Sequence, residues 1–222
     1  MSNKKNDLPE RSGRDIAHSV TKAGLSALPI VGGPAAELFQ NIVQPPLERR
    51  RVAWMADLGE RLEELDKKGL NLENLKDNDQ FISAAMHASQ LALRTHSEEK
   101  RDALRNAVTN IAVGQAPEEA MQHVFLNFVD TLTELHIRIL RLFQAPRPPQ
   151  NITVGGLNRV LEHSMPEMKE RRQVYDQLWR DLYLGGLVNT DSLHTSMSGP
   201  GLSEKRTTRL GDEFLSFISE SK

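Results

Sequence analysis

Between Thr133 and Ile218, proline and glycine cut the chain into pieces so short that only a compact array of small elements fits. Pro146, Pro148 and Pro149 come first, then Pro166, the Gly185-Gly186 pair and Gly199-Pro200-Gly201. Proline lacks a backbone N–H and its ring collides with the preceding turn, so a helix stops before each cluster. The first predicted helix covers 133–143, with Leu135, Ile139 and Leu142 on one face. A second starts after Thr153 and turns Leu157, Val160 and Leu161 inward. Pro166 suits the first turn of a third, predicted from Glu167 to Leu184 with Tyr175, Leu178, Trp179 and Leu182 as its apolar row. Gly185-Gly186 supplies a left-handed cap. Leu187-Val188 and Leu193 to Met197 read as strands, Ser198 to Gly201 as a turn, and Arg206 to Arg209 as a return strand. Gly211 opens a closing helix with Phe214, Leu215 and Ile218 on one side.

Three stretches carry a family likeness: His136-Ile-Arg-Ile-Leu140, Leu182-Tyr-Leu-Gly-Gly-Leu-Val-Asn189, and Thr208-Arg-Leu-Gly-Asp-Glu-Phe-Leu-Ser-Phe-Ile218. In this order they resemble the winged helix-turn-helix superfamily. The resemblance implies a winged-helix-like domain over 133–222 with a small β wing, and the helical pattern upstream adds a helical bundle over 14–132, so the expected fold is mainly α. Residues 1–13 are polar and expected to be disordered. The resemblance also implies a third helix that enters the DNA major groove and a wing that touches the backbone. Carried onto this chain, the outward positions of that helix are Lys169, Arg172, Gln173, Asp176, Gln177 and Arg180, and the wing offers Lys205 and Arg206.

The charge of this segment argues against DNA. Residues 146–222 hold ten Lys and Arg against ten Asp and Glu, and Glu167, Glu170, Asp176 and Asp181 lie along the third helix. Phosphate neutralisation supplies most of the affinity for nucleic acid, so a neutral module is a poor polyanion binder. The leading expectation is therefore a module for protein contacts, with a partner protein or a second copy of the chain. A DNA-binding regulator is the alternative.

The whole chain has a net charge of −2, with 26% charged and 38% hydrophobic residues, which describes a globular protein and not a disordered one. It has no cysteine, which excludes a disulfide framework, a thiol nucleophile and a cysteine-ligated metal. The polar N-terminus leads into no apolar run of the signal-peptide type, and the expected location is cytoplasmic.

Upstream of Thr133 the pattern is helical throughout. A weak row runs from Asp15 to Leu28 and a short helix from Ala35 to Val43. Pro29, Gly32, Gly33 and Pro34 form a hinge between them. Residues 23–47 hold a single charge, Glu37, so residues 23–43 could serve a membrane-active effector of a bacterial conflict or phage-defence system. The hinge interrupts any spanning helix, which needs about 20 apolar residues, and a buried helical hairpin is preferred.

Pro46 to Lys68 predicts an amphipathic helix with the stripe Leu47, Trp54, Met55, Leu58, Leu62 and Leu65. Asp79 is expected to cap a helix carrying Phe81, Ala84, Ala85, Ala88, Leu91 and Ala92. Thr95 is expected to cap one with Leu104, Ala107, Val108 and Ile111. Pro117 opens a helix with Met121, Val124, Phe125, Phe128 and Leu132 inward. Thr131-Leu-Thr-Glu134 matches another capping box, and leaves open whether Met121 to Phe143 is one helix or two. Thr95 to Val108 and Leu132 to Leu140 look similar to uncharacterised bacterial helical proteins, a likeness that carries no activity.

No catalytic or cofactor motif is found. The seven histidines show no close ligand spacing, and there is no Walker loop, dinucleotide fingerprint or nucleophile elbow. His136 reads as a packed, hydrogen-bonded histidine. The expected function is non-enzymatic, with no cofactor and no metal.

Overall fold

The computed structural model describes residues 40–150 and 152–220, and the chain divides into two compact units between Arg49 and Arg50. In the first unit, residues 40–42 are helical, Val43 is a turn, and α1 (Gln44–Lys67) begins. Pro45 and Pro46 sit in its first turn, where backbone N–H groups have no helical acceptor. The expected segment 1–13, the helix from Asp15 and the hinge Pro29, Gly32, Gly33 and Pro34 lie outside the described residues, as does the part up to residue 39 of the stretch considered for membrane activity.

The second unit is mainly helical, with a small two-stranded antiparallel sheet in its C-terminal third. One hydrophobic core runs from Trp54 to Ile218. Within this unit α1 buries Trp54 and Leu58, and the Trp54 indole N–H donates to Ser89 Oγ at 2.9 Å. Met55 was expected in that stripe. One position is about 100° round a helix, so burying Trp54 turns Met55 outward, where it is 57% exposed.

After a one-turn α2 (Glu73–Lys76), α3 (Asp79–Arg94) is capped by Asn78, whose side chain accepts from the Phe81 N–H at 3.0 Å. Asp79 was expected in that role. Ala84, Ala88 and Ala92 are buried, and their small side chains let α4 (Glu98–Ala112) approach closely. The cap of α4 is Ser97, not Thr95: α3 runs on to Arg94, so Thr95 becomes its C-cap, and Ser97 Oγ accepts from the Lys100 N–H at 3.1 Å.

Helix α5 (Glu119–Thr131) starts after Pro117, whose carbonyl accepts from the buried Gln122 amide at 2.7 Å. Its buried face is Gln122, Phe125, Leu126 and Val129, one position round from the expected row, and Val124 is 38% exposed. A break at Leu132 and Thr133 separates it from α6 (Glu134–Gln144). Thr133 caps α6, not Thr131, and the buried face is His136, Ile137, Ile139, Leu140 and Phe143. Leu135 and Leu142 pack only partly.

The remaining elements are β1 (Val154–Gly155), α7 (Leu157–Ser164), a tight turn at Pro166–Met168, α8 (Arg172–Leu184), β2 (Met197–Ser198), α9 (Gly199–Leu202) and α10 (Arg209–Phe217). The expected inward rows of α7 and α8 are buried. Helix α8 begins at Arg172, five residues later than expected, because Glu170 adopts φ 65° and interrupts the helical path. Gly186, at φ 70°, closes it with a Leu187 N–H to Leu182 carbonyl bond of 2.9 Å.

The strand pairing differs from the expected hairpin. Val154 pairs with Ser198 and Gly155 with Met197, so β2 joins the strand before α7. Val188 pairs with Thr207 as a single bridge. The turn expected at Ser198–Gly201 is instead the capped helical turn α9, because Ser198 Oγ accepts from the Gly201 N–H and Pro200 holds the first-turn φ. Helix α10 is capped by Thr208, not opened by Gly211. A Cβ at Gly211 would run into the Leu187 carbonyl oxygen.

Candidate functional site

The outward side of α8 is where the sequence places its candidate contact residues, and its charges are largely matched in place. Arg172 Nε donates to Asp176 Oδ2 at 3.3 Å. The other Asp176 oxygen lies 2.7 Å from His194 Nε2, on the loop after α8. Gln177 donates to Asp181 Oδ1 at 2.7 Å, and Asp181 Oδ2 lies 3.4 Å from the buried His136. Both carboxylates on this face therefore already have partners.

The two cations expected on a wing are also engaged. Lys205 Nζ lies 2.6 Å from Asp212 Oδ2. Burial opposes ionisation of Asp212, but bonds from Lys205, Thr207 and Gln144 outweigh it and hold the carboxyl below its ordinary range. Arg206, expected to be available to a ligand, is buried at 8% exposure. Its guanidinium donates to the Gly201 carbonyl, lies 3.2 Å from Met197 Sδ and pairs with Glu204 at 3.3 Å. It is a clasp on α9, and its own backbone is held by the Phe143 carbonyl and the Asn189 N–H. Lys169, Gln173 and Arg180 are exposed.

A polar cluster that no sequence spacing reveals braces the start of α8. The Tyr175 hydroxyl donates to Glu162 Oε1 at 3.0 Å, and burial, reinforced by that carboxylate, pushes the phenol up to about 12. The Tyr175 and His194 rings are 6.0 Å apart. The Trp179 indole N–H donates to the Thr190 carbonyl at 2.9 Å, and the Asn158 N–H to the Leu193 carbonyl at 2.9 Å. These bonds tie the 189–194 loop to α7 and α8. The side-chain partners in this cluster are 11 to 18 positions apart in the chain, so only the fold brings them together.

At the C-terminal end of α8 the surface turns apolar. Leu184 is 75% exposed and Tyr183 42% exposed. The Cβ position of the next residue, Gly185, lies 3.6 Å from the Phe128 ring of α5.

Two recesses lie elsewhere in the second unit. One, of about 320 Å³, is lined by Asp57, Glu60, Arg61, Glu64, Asp102, Arg105, Asn106 and Glu220. The other, of about 440 Å³, is lined mostly by amides, serines and carboxylates at the ends of α4, α6 and α10. Among the described residues no group of three or more His, Asp or Glu is placed to hold a metal, and no helix is long and apolar enough to cross a membrane. The sequence matches no family model, and comparison with curated proteins and with solved structures gave no match.

Proposed function

We propose that this chain is a non-enzymatic interaction or regulatory protein of the cytoplasm, whose winged-helix-like C-terminal module engages another protein. The observation that carries the reading is charge compensation on the face that would meet DNA. Arg172 is paired with Asp176, Lys205 with Asp212, and Arg206 is buried. A cation already matched by a carboxylate brings little counterion release on meeting a phosphate. The exposed Leu184 and Tyr183 suit a protein partner, since exposed apolar and aromatic side chains are common anchors of such contacts.

Fluorescence anisotropy against random duplex DNA at low and moderate salt tests the reading, with light scattering on the same sample. The expected result is no DNA binding at low salt. Binding that weakens steeply with salt would establish the alternative, a DNA-binding regulator using Lys169, Gln173 and Arg180.

A further inference from the structure

Away from the α8 face, two imidazoles from different helices meet at the surface. His87 on α3 and His123 on α5 have ring centroids 5.9 Å apart and planes 30° apart. His87 is half-buried and His123 exposed, so the pair opens to solvent on one side. The two helices pack against each other, which holds the two backbone positions close together.

We propose that His87 and His123 form a two-nitrogen site for a borderline divalent transition-metal cation, of the Zn²⁺ class, with water in the remaining positions. Imidazole nitrogen is a preferred ligand of these cations. A cation held at about 2.0–2.1 Å from one nitrogen of each ring, at a tetrahedral angle, puts the ring centroids roughly 5.2 Å apart, and a wider angle takes them past 6 Å. The observed 5.9 Å lies inside that range, so the ring separation matches the span of a shared cation. Metal ligation needs neutral rings. Asp130, seven positions beyond His123 on α5, is engaged by Arg94 at 3.7 Å and is not a ligand in this arrangement. Two protein ligands and open water positions describe an exchangeable site, one that would clamp α3 to α5 when filled.

The test is thermal unfolding of the full chain with zinc chloride, compared with magnesium chloride and with chelator. A cation that binds the folded state at a hundredfold excess over Kd raises Tm by about 5–10 °C for a domain of this size. The rise should appear with zinc, be absent with magnesium, disappear in His87→Gln and in His123→Gln, and persist in His96→Gln. Both substituted positions reach the surface, so the variants should fold. Copper broadening of histidine NMR signals in the unmodified protein gives a check independent of substitution: His87 and His123 should broaden first. No zinc shift, a shift that survives either substitution, or first broadening at other histidines would overturn the proposal.

Discussion

His136 Nδ1 accepts the backbone N–H of Thr133 at 3.0 Å and lies 2.8 Å from the Thr133 hydroxyl oxygen. An amide N–H can only donate, so Nδ1 is unprotonated and the neutral ring carries its proton on Nε2, facing Asp181 at 3.4 Å. Histidine here takes the place that Glu or Gln holds in a capping box, and the same ring links α6 to α8.

A proton on Nδ1 would remove that acceptor and bury a charge. Burial lowers the proton affinity of His136, Asp181 pulls the other way, and Lys100 adds to the lowering. The unfolded chain, near the ordinary value of 6.5, binds this proton more readily than the folded one. The stability due to the neutral ring is thus complete above 6.5 and is lost as pH falls through that value toward the lowered folded one. Urea midpoints measured from about pH 7.5 to about 5.5 should fall, and His136→Gln should flatten the decline.

Arg206 and Lys205 are neighbours with opposite roles. Arg206→Ala removes a buried guanidinium and leaves the Gly201 carbonyl without its donor, which should cost about 2–3 kcal/mol. Arg206→Lys should not restore the loss, because an ammonium lacks the planar fork. Lys205→Ala breaks an exposed pair and should change stability by less than about 1 kcal/mol. Chemical denaturation of the three variants separates these outcomes.

Two glycines predict opposite signs. Gly59 lies inside α1 and a Cβ there meets nothing within 4 Å, so Gly59→Ala should stabilise by about 0.5–1 kcal/mol through helix propensity. Gly211→Ala places a methyl against the Leu187 carbonyl and should destabilise by about 2 kcal/mol or more, as the backbone shifts to relieve the clash. Thermal melts of both variants should move in opposite directions.

Lys169 and Arg180 are two of the exposed cations on the α8 side. Lys169→Ala with Arg180→Ala should leave nucleic-acid anisotropy unchanged at every salt concentration. Leu184→Glu should leave the melting temperature within about 1 °C, since the side chain is 75% exposed, while abolishing capture of any partner that uses this end of the helix.

Element order in the C-terminal third was legible because Pro149, Pro166 and Gly186 act locally, whatever surrounds them. The inward row of α7 was legible because Leu157, Val160 and Leu161 are its only apolar residues, and that of α8 because Tyr175, Leu178, Trp179 and Leu182 keep a helical spacing along one face. Helix α5 was harder. Met121, Val124, Phe125, Leu126, Phe128 and Val129 cover most of its circumference, so periodicity alone allows several faces, and packing on Phe214 and Phe217 selects one. Strand pairing was not legible, since the partner of Met197 lies at Gly155, beyond two intervening helices. The inward turn of Arg206 was hidden for a similar reason: it depends on Gly201 and Met197, and basic residues are ordinarily exposed. The meeting of His87 and His123 comes from helix packing, and their separation in the chain carries no sign of it.

The Asn110 side-chain amide on α4 donates to the carbonyls of Phe217 and Ser219, at 2.8 and 2.9 Å, at the end of α10. The Asn106 amide, one turn earlier, donates to Ile218 at 3.1 Å. These bonds close a loop of more than a hundred residues, so they form only after nearly the whole second unit has been synthesised. During translation α4 must wait beside a groove that has no occupant, with Phe125 uncovered where Phe214 and Phe217 will sit. Burial of Phe125 is thus tied to residues about ninety positions further along the chain, so this part of the core closes late in folding.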